Sequence, residues 1–109
     1  MIESWHAHIY FDAASREAAA VLRTAAGAAF PGVEFGRMHE RPVGPHPRWS
    51  CQLAFPAALL GSVLPWLVEH RGGLTLFVHP NTGQSLEDHR DRALWMGELL
   101  PLNLDALRS

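Results

Sequence analysis

The chain has a single cysteine, few charges and no long apolar run, and each shortage removes a class of function. The lone Cys51 excludes an intramolecular disulfide framework and a cysteine-rich zinc site. Charged residues make up only 18%, and nine Lys+Arg against eleven Asp+Glu leave a formal net charge of −2. A near-neutral chain lacks the basic footprint of a nucleic-acid or anionic-membrane binder. The N-terminus, Met1-Ile2-Glu3-Ser4-Trp5-His6, has neither a basic n-region nor an apolar h-region. It therefore reads as a cytoplasmic, soluble protein without a signal peptide. The apolar stretch 57–68 is broken by Gly61, Ser62 and Pro65 and is too short to span a bilayer. No Gly-x-Ser-x-Gly elbow, Walker loop or Gly-x-Gly-x-x-Gly run is present, so serine-hydrolase and nucleotide chemistry have no support.

What remains is a composition with 48% hydrophobic residues over 109 positions, enough for one domain, 1–109, with a core of its own. Seven histidines stand out against nine Lys+Arg. Histidine is the commonest metal ligand and the proton carrier of neutral pH, so the question is whether these side chains converge.

Periodicity gives an element order. Residues 5–11 alternate and read as a strand. Asp12 is placed to cap a helix over 13–29, which Phe30-Pro31-Gly32 ends. A second strand is expected over 33–39 and an irregular loop over 41–47, which holds three prolines and a glycine. A third strand follows over 49–55, then a helix over 57–70 with Pro65 inside it, a Gly72-Gly73 turn, and a fourth strand over 74–78. Ser85-Leu86-Glu87-Asp88 resembles a capping box opening a helix to about residue 100. The order β-α-β-β-α-β plus a C-terminal helix is the ferredoxin-like α+β pattern, an antiparallel sheet in strand order 4-1-3-2. Both main helices cover one sheet face. The other is left for solvent, the extra helix or a partner.

Alternation assigns the faces. Ala7, Ile9 and Phe11 point to the helices, which sends His6, His8 and Tyr10 to the open face. The same reasoning places Thr75, Phe77 and His79 there, with Ser50, Gln52 and Ala54, and puts Cys51 in the core. The fourth strand lies antiparallel beside the first, which brings His79 near His6 and His8. Three imidazoles at that spacing suit a borderline divalent ion. The bland alternative is a polar strand face without a metal, and convergence of the third histidine favours the metal. His39 and His46 flank the proline-rich loop. His46, held between Pro45 and Pro47, is either a pre-aimed imidazole or part of a stiff surface loop. His89 either pairs with Asp88 or sits at a solvated helix start, and His70 ends a helix, where a cation suits the dipole.

Trp5-His6-Ala7-His8-Ile9-Tyr10-Phe11, Arg41-Pro42-Val43-Gly44-Pro45-His46-Pro47, His79-Pro80-Asn81-Thr82-Gly83, Asp88-His89 and Trp95-Met96-Gly97 together resemble the DOPA 4,5-dioxygenase family, of the small fungal and bacterial type. Its histidine blocks match His6, His8, His46, His79 and His89. The resemblance implies a ferredoxin-like domain paired as a homodimer into a dimeric α+β barrel. It also implies non-haem Fe(II) and extradiol cleavage of a substituted catechol, DOPA-like or caffeate-like, by O2. Carried onto this chain, the metal falls to His6, His8 and His79, and Zn or Ni can take its place in a purified sample. Acid/base work falls to His46 or His39, with Tyr10 as a further catalytic group. Arg48, Gln52, Tyr10 and His89 are candidates to contact the substrate. Iron oxygenases commonly add a carboxylate ligand, for which Asp12, Glu40 and Asp88 are the nearest candidates. The rival functions are a non-catalytic dimeric α+β barrel that binds a metal or small ligand, and a cofactor-free oxygenase.

Overall fold

The computed structural model describes residues 1–108. Its elements are β1 (Ser4–Phe11), α1 (Arg16–Ala29), β2 (Glu34–Phe35), β3 (Trp49–Pro56), a 3₁₀ turn (Ala57–Leu59), α2 (Leu60–His70), β4 (Thr75–Pro80), α3 (Ser85–Arg90), β5 (Leu94–Met96) and a final 3₁₀ turn (Leu104–Leu107). All strand pairs are antiparallel, in the order β2-β3-β1-β4-β5. This is the order 4-1-3-2 expected from the sequence, extended by one strand outside β4.

The core forms where the alternation requires it. Ala7, Ile9 and Phe11 of β1 pack with Cys51, Leu53, Phe55, Leu76 and Val78 of its neighbours. Ala19, Leu22 and Ala26 of α1 and Val63 and Leu67 of α2 cover them. Spacings of three and four keep these residues on one helix face. The first helix begins at Arg16, not at residue 13, with Ser15 and not Asp12 at its N-cap; Asp12 instead closes the turn ahead of it, its carboxylate accepting from the Ser15 backbone N–H at 2.9 Å and from Ser15 Oγ at 2.8 Å. Pro65 sits inside α2, and the carbonyl it cannot serve belongs to the exposed Gly61. Among the described residues, no helix is long and apolar enough to cross a membrane.

Two elements depart from the sequence reading. The helix expected over residues 85–100 ends at Arg90, and Leu94–Met96 instead pair with β4, with Trp95 opposite Phe77. The unpaired edge of β4 offers backbone bonds to a short apolar run, and this tertiary contact overrides local helix propensity. No capping box forms either, since Gln84 precedes the helix without a side-chain cap and Asp88 is engaged elsewhere. Gly97 ends β5 at φ 90°, where an added Cβ would stand 3.1 Å from Thr75 Oγ1 and 3.2 Å from Arg71 Nη1. Gly97→Ala is expected to lower the unfolding free energy by about 1–3 kcal/mol in urea titrations.

The second departure is β2, which is two residues long instead of covering 33–39. Glu34 pairs with Ala54 and Phe35 with Leu53, and Gly36 N–H donates to Gln52 O, but the next bridge joins His39 to Ser50. Three steps on one side face two on the other, so one extra residue is inserted as in a bulge. The insertion reverses face parity. Without it His39 would lie opposite Trp49; with it His39 shares the face of Ser50 and Tyr10.

The face turned away from the helices is already covered in the single chain. His8, Tyr10, Ser50, Phe77 and His79 are all buried. The loop carrying His46, the α3 residue His89 and Trp95 of β5 lie over them.

Candidate metal centre

Register builds the centre. Antiparallel pairing sets His6 directly opposite His79 and His8 opposite Phe77, so three imidazoles share one face of adjacent strands. The His8 and His79 rings stack at 5.1 Å, and their Nε2 atoms stand 3.0 Å apart. His6 meets both edge-on, at 5.8 Å from His8 and 5.2 Å from His79. One nitrogen from each ring lies within 4.8 Å of the others, and this is the group among the described residues that can hold an ion. His79 Nδ1–H donates to the Pro80 carbonyl at 2.9 Å, which leaves the Nε2 lone pair facing the centre.

This donor set fits a divalent ion. Two imidazole nitrogens bound cis to one octahedral metal at about 2.1 Å each stand roughly 3.0 Å apart, which is the His8–His79 spacing. Neutral imidazoles suit Fe, Zn, Ni and Cu over Mg or Ca. The three rings are held neutral as ligands must be. Burial lowers His6, with a smaller push from His89. Burial and then His46, His79, His6 and His89 put His8 well below the usual histidine range. Burial takes His79 to about 4 although its bond to Pro80 pulls upward.

His46 stands beside the three ligands. Its ring is 4.1 Å from that of His8, and its Nδ1 lies 2.6 Å from the Tyr10 hydroxyl. Burial, followed by His89, His39 and His6, lowers His46 to about 4. The His89 ring lies 3.9 Å from that of His79, tilted by 34°, while its Nδ1 is bonded to Ser85 O rather than to Asp88. His39 reaches this face through the bulge and is half-buried. Gln52 lies opposite His8 and is half-buried. Arg48 is drawn away, paired on the surface with Glu98 at 2.9 Å.

None of the three candidate carboxylates joins the ligands. Asp12 caps its own turn and Glu40 pairs with Arg16. Asp88 is buried, accepting from Thr82 N–H at 2.7 Å, Thr82 Oγ1 at 2.8 Å and Arg92 Nη1 at 2.9 Å. Burial alone pushes its pKa up, but these bonds outweigh burial and the net shift is downward. Asp88 thus ties the turn after β4 to α3, the helix that lays His89 on His79. Asp88→Ala is expected to cost about 1–3 kcal/mol in denaturant titrations, with Asp88→Asn losing less, because the buried carboxylate that ties Thr82 to Arg92 through charge-assisted bonds is removed.

Two site residues escaped the sequence reading. Trp95 stacks on Tyr10 at 6.0 Å and packs against Phe77 at 4.5 Å, and Phe77 in turn lies 5.6 Å from His79. Alternation places Phe77 on this face without giving it a role, and Trp95 falls in a stretch that reads locally as helix. A large cleft of about 820 Å³ opens elsewhere, between α1, α2 and the start of β4. It shares Tyr10, Asp12 and Arg48 with the predicted residues but none of the clustered histidines, so the donor geometry, not cleft size, locates the centre.

A model of the Dopa 4,5-dioxygenase family matches residues 5–106. DOPA 4,5-dioxygenase of Amanita muscaria is 41% identical over 111 residues, covering 94% of this chain and 49% of that protein. An uncharacterized 21.2 kDa protein of Botryotinia fuckeliana is 42% identical over 87 residues, covering 72% of this chain and 48% of that protein. The chain spans about half the length of these two relatives. The crystal structure of a candidate dioxygenase from Nostoc punctiforme matches with a TM-score of 0.95 at 47% identity, covering 98% of this chain and 92% of that one.

Proposed function

The chain belongs to the DOPA 4,5-dioxygenase family, and from that premise we propose that it is a non-haem Fe(II) dioxygenase that opens a substituted catechol by extradiol cleavage. The carrying observation is the set His6, His8 and His79, with the nitrogens of His8 and His79 at the spacing of cis ligands and that of His6 within 4.8 Å of both. Fe(II) held there supplies Lewis acidity toward the catechol oxygens and the redox chemistry of O2. Zn or Ni would find the same nitrogens acceptable.

The remaining steps belong to this chain's own groups. Three ligands from two strands leave part of the coordination sphere to substrate. Phe77 and Trp95 form an aromatic wall that keeps water from the reacting ring. His46, beside His8, is the proton-handling group, and His39 stands farther out on the same face. Gln52, opposite His8, offers a polar contact for the ring substituent, and His89 closes the far side over His79. Arg48 contributes to substrate binding only if its pair with Glu98 opens.

Product analysis under labelled oxygen tests the reading. Protein loaded anaerobically with Fe(II) and mixed with DOPA or caffeate is expected to give a yellow product carrying an aldehyde and both atoms of O2. A dicarboxylate product would place the cut between the hydroxyls and contradict the extradiol assignment. Oxygen uptake that persists after chelation would favour a cofactor-free oxygenase, and metal binding without uptake would favour a binding module. A homodimer belongs to the same proposal, supported by the exposed Leu94 on the edge strand β5 and the exposed Leu99 beyond it. Light scattering at a monomer mass would remove it.

A further inference from the structure

We propose that Tyr10 is a positioning residue that holds His46 in the tautomer protonated at Nε2, so that His46 meets a bound substrate as a hydrogen-bond donor. The functional consequence rests on the dioxygenase reading, whereas the tautomer itself does not.

The backbone of His46 is fixed first. It lies between Pro45 and Pro47, its N–H donates to Val43 O at 3.0 Å, and Pro45 O accepts from Asn103 N–H at 2.8 Å. Fixed φ at both flanking residues removes most of the freedom the loop would otherwise have. The ring is then oriented by one bond, 2.6 Å between Nδ1 and the Tyr10 hydroxyl. Tyr10 is itself immobile: it is 2% exposed, sits in the middle of the sheet and stacks on Trp95.

The direction of that bond follows from the partners available. A neutral phenol carries one proton to donate, and this hydroxyl has no acceptor among the described residues other than His46 Nδ1. If Nδ1 carried the proton and donated, the phenol O–H would be buried without an acceptor, an arrangement proteins avoid. Tyr10 therefore donates, Nδ1 accepts, and the imidazole proton resides on Nε2. Nε2 has no hydrogen-bond partner among the described residues, yet it is not among the enclosed, unsatisfied polar atoms. It is the polar end of His46 left for a bound molecule, next to the His8 ring. An N–H aimed there stabilises an anionic oxygen of the substrate, whereas the opposite tautomer would present a lone pair to that oxygen and repel it.

Long-range proton–nitrogen NMR on metal-free, nitrogen-15-labelled protein reads the tautomer directly, with His46→Gln identifying the His46 signals. The expected wild-type result is a protonated Nε2 and a bare, hydrogen-bonded Nδ1. Tyr10→Phe, checked for a cooperative unfolding transition, is expected to shift His46 to a mixture of tautomers. A protonated Nδ1 in the wild type overturns the proposal, as does an unchanged tautomer in a folded Tyr10→Phe protein. If Tyr10→Phe does not fold, the wild-type spectrum alone decides. In the iron-loaded enzyme the same variant is expected to lose about tenfold or more in kcat with KM changed less than about twofold. A wild type without oxygenase activity would defeat the functional reading and leave the NMR result to stand or fall by itself.

Discussion

His8→Ala protein is expected to bind no Fe(II) at stoichiometric metal and to consume oxygen with catechol at least about 100-fold more slowly than the wild type. His8 is the central member of the cluster: its Nε2 lies 3.0 Å from that of His79, and its ring touches those of His6, His46 and His79. Without it two ligands remain, and one of them, His6, is only half-buried. The substitution also opens a void under Phe77 and His46, so some loss of stability accompanies it. His8→Gln separates the two effects, because it keeps a polar side chain in the space while lacking an imidazole nitrogen. Both variants are expected to retain a cooperative melt in the metal-free state. Iron content after gel filtration, together with an oxygen electrode, checks the outcome. A His8→Ala protein that holds one iron per chain would remove this cluster as the metal centre.

Acidification is expected to destabilise the metal-free protein steeply between pH 6.5 and about 4. His46 and His79 are depressed from 6.5 to about 4, chiefly by burial, and His8 is depressed further in the same direction. Between the folded and unfolded values the unfolded chain binds more protons than the folded one. Stability therefore rises with pH across that window, is fully present above 6.5, and is lost as pH falls through it. A shift of that size on one histidine corresponds to on the order of 3 kcal/mol below pH 4, comparable to a good part of a small domain's total stability. Bound metal adds to the dependence, since protons compete for the same nitrogens. Urea titrations at half-unit steps from pH 7.5 to 4.5 measure the slope, and His46→Gln or His79→Gln is expected to make it shallower. A wild-type midpoint that stays level from pH 7.5 to 5 would contradict the burial of neutral imidazoles.

Much of this was legible in the chain because strand alternation is a two-residue code. Ala7, Ile9 and Phe11 in the core forced His6 and His8 onto the other face, and the antiparallel neighbour brought His79 beside them. The strand order followed from the element order alone. What alternation could not show was anything that depends on long-range competition. Leu94-Trp95-Met96 leans locally toward helix, and only the vacant edge of β4 makes it a strand and sets Trp95 against Tyr10 and Phe77. The face of His39 was hidden for a related reason, since a one-residue insertion opposite Ser50 and Gln52 leaves no signature in composition. Asp88 was singled out as a cap and as a spare ligand. Its actual partners, Thr82 and Arg92, are local in sequence but linked through a turn whose geometry the residue types do not announce. The expectation of a carboxylate ligand came from general iron chemistry and not from these residues, and each candidate proved committed elsewhere.

In the proposed enzyme His6, His8 and His79 hold the iron on which dioxygenase activity depends. Oxygen uptake at an electrode, on protein reconstituted anaerobically with one equivalent of Fe(II) and given a catechol, tests this most directly. Consumption of one O2 per catechol is expected, abolished by a chelator and restored by Fe(II), and absent from His8→Ala under the same conditions. Uptake that is indifferent to the chelator, or equal in His8→Ala, would contradict it.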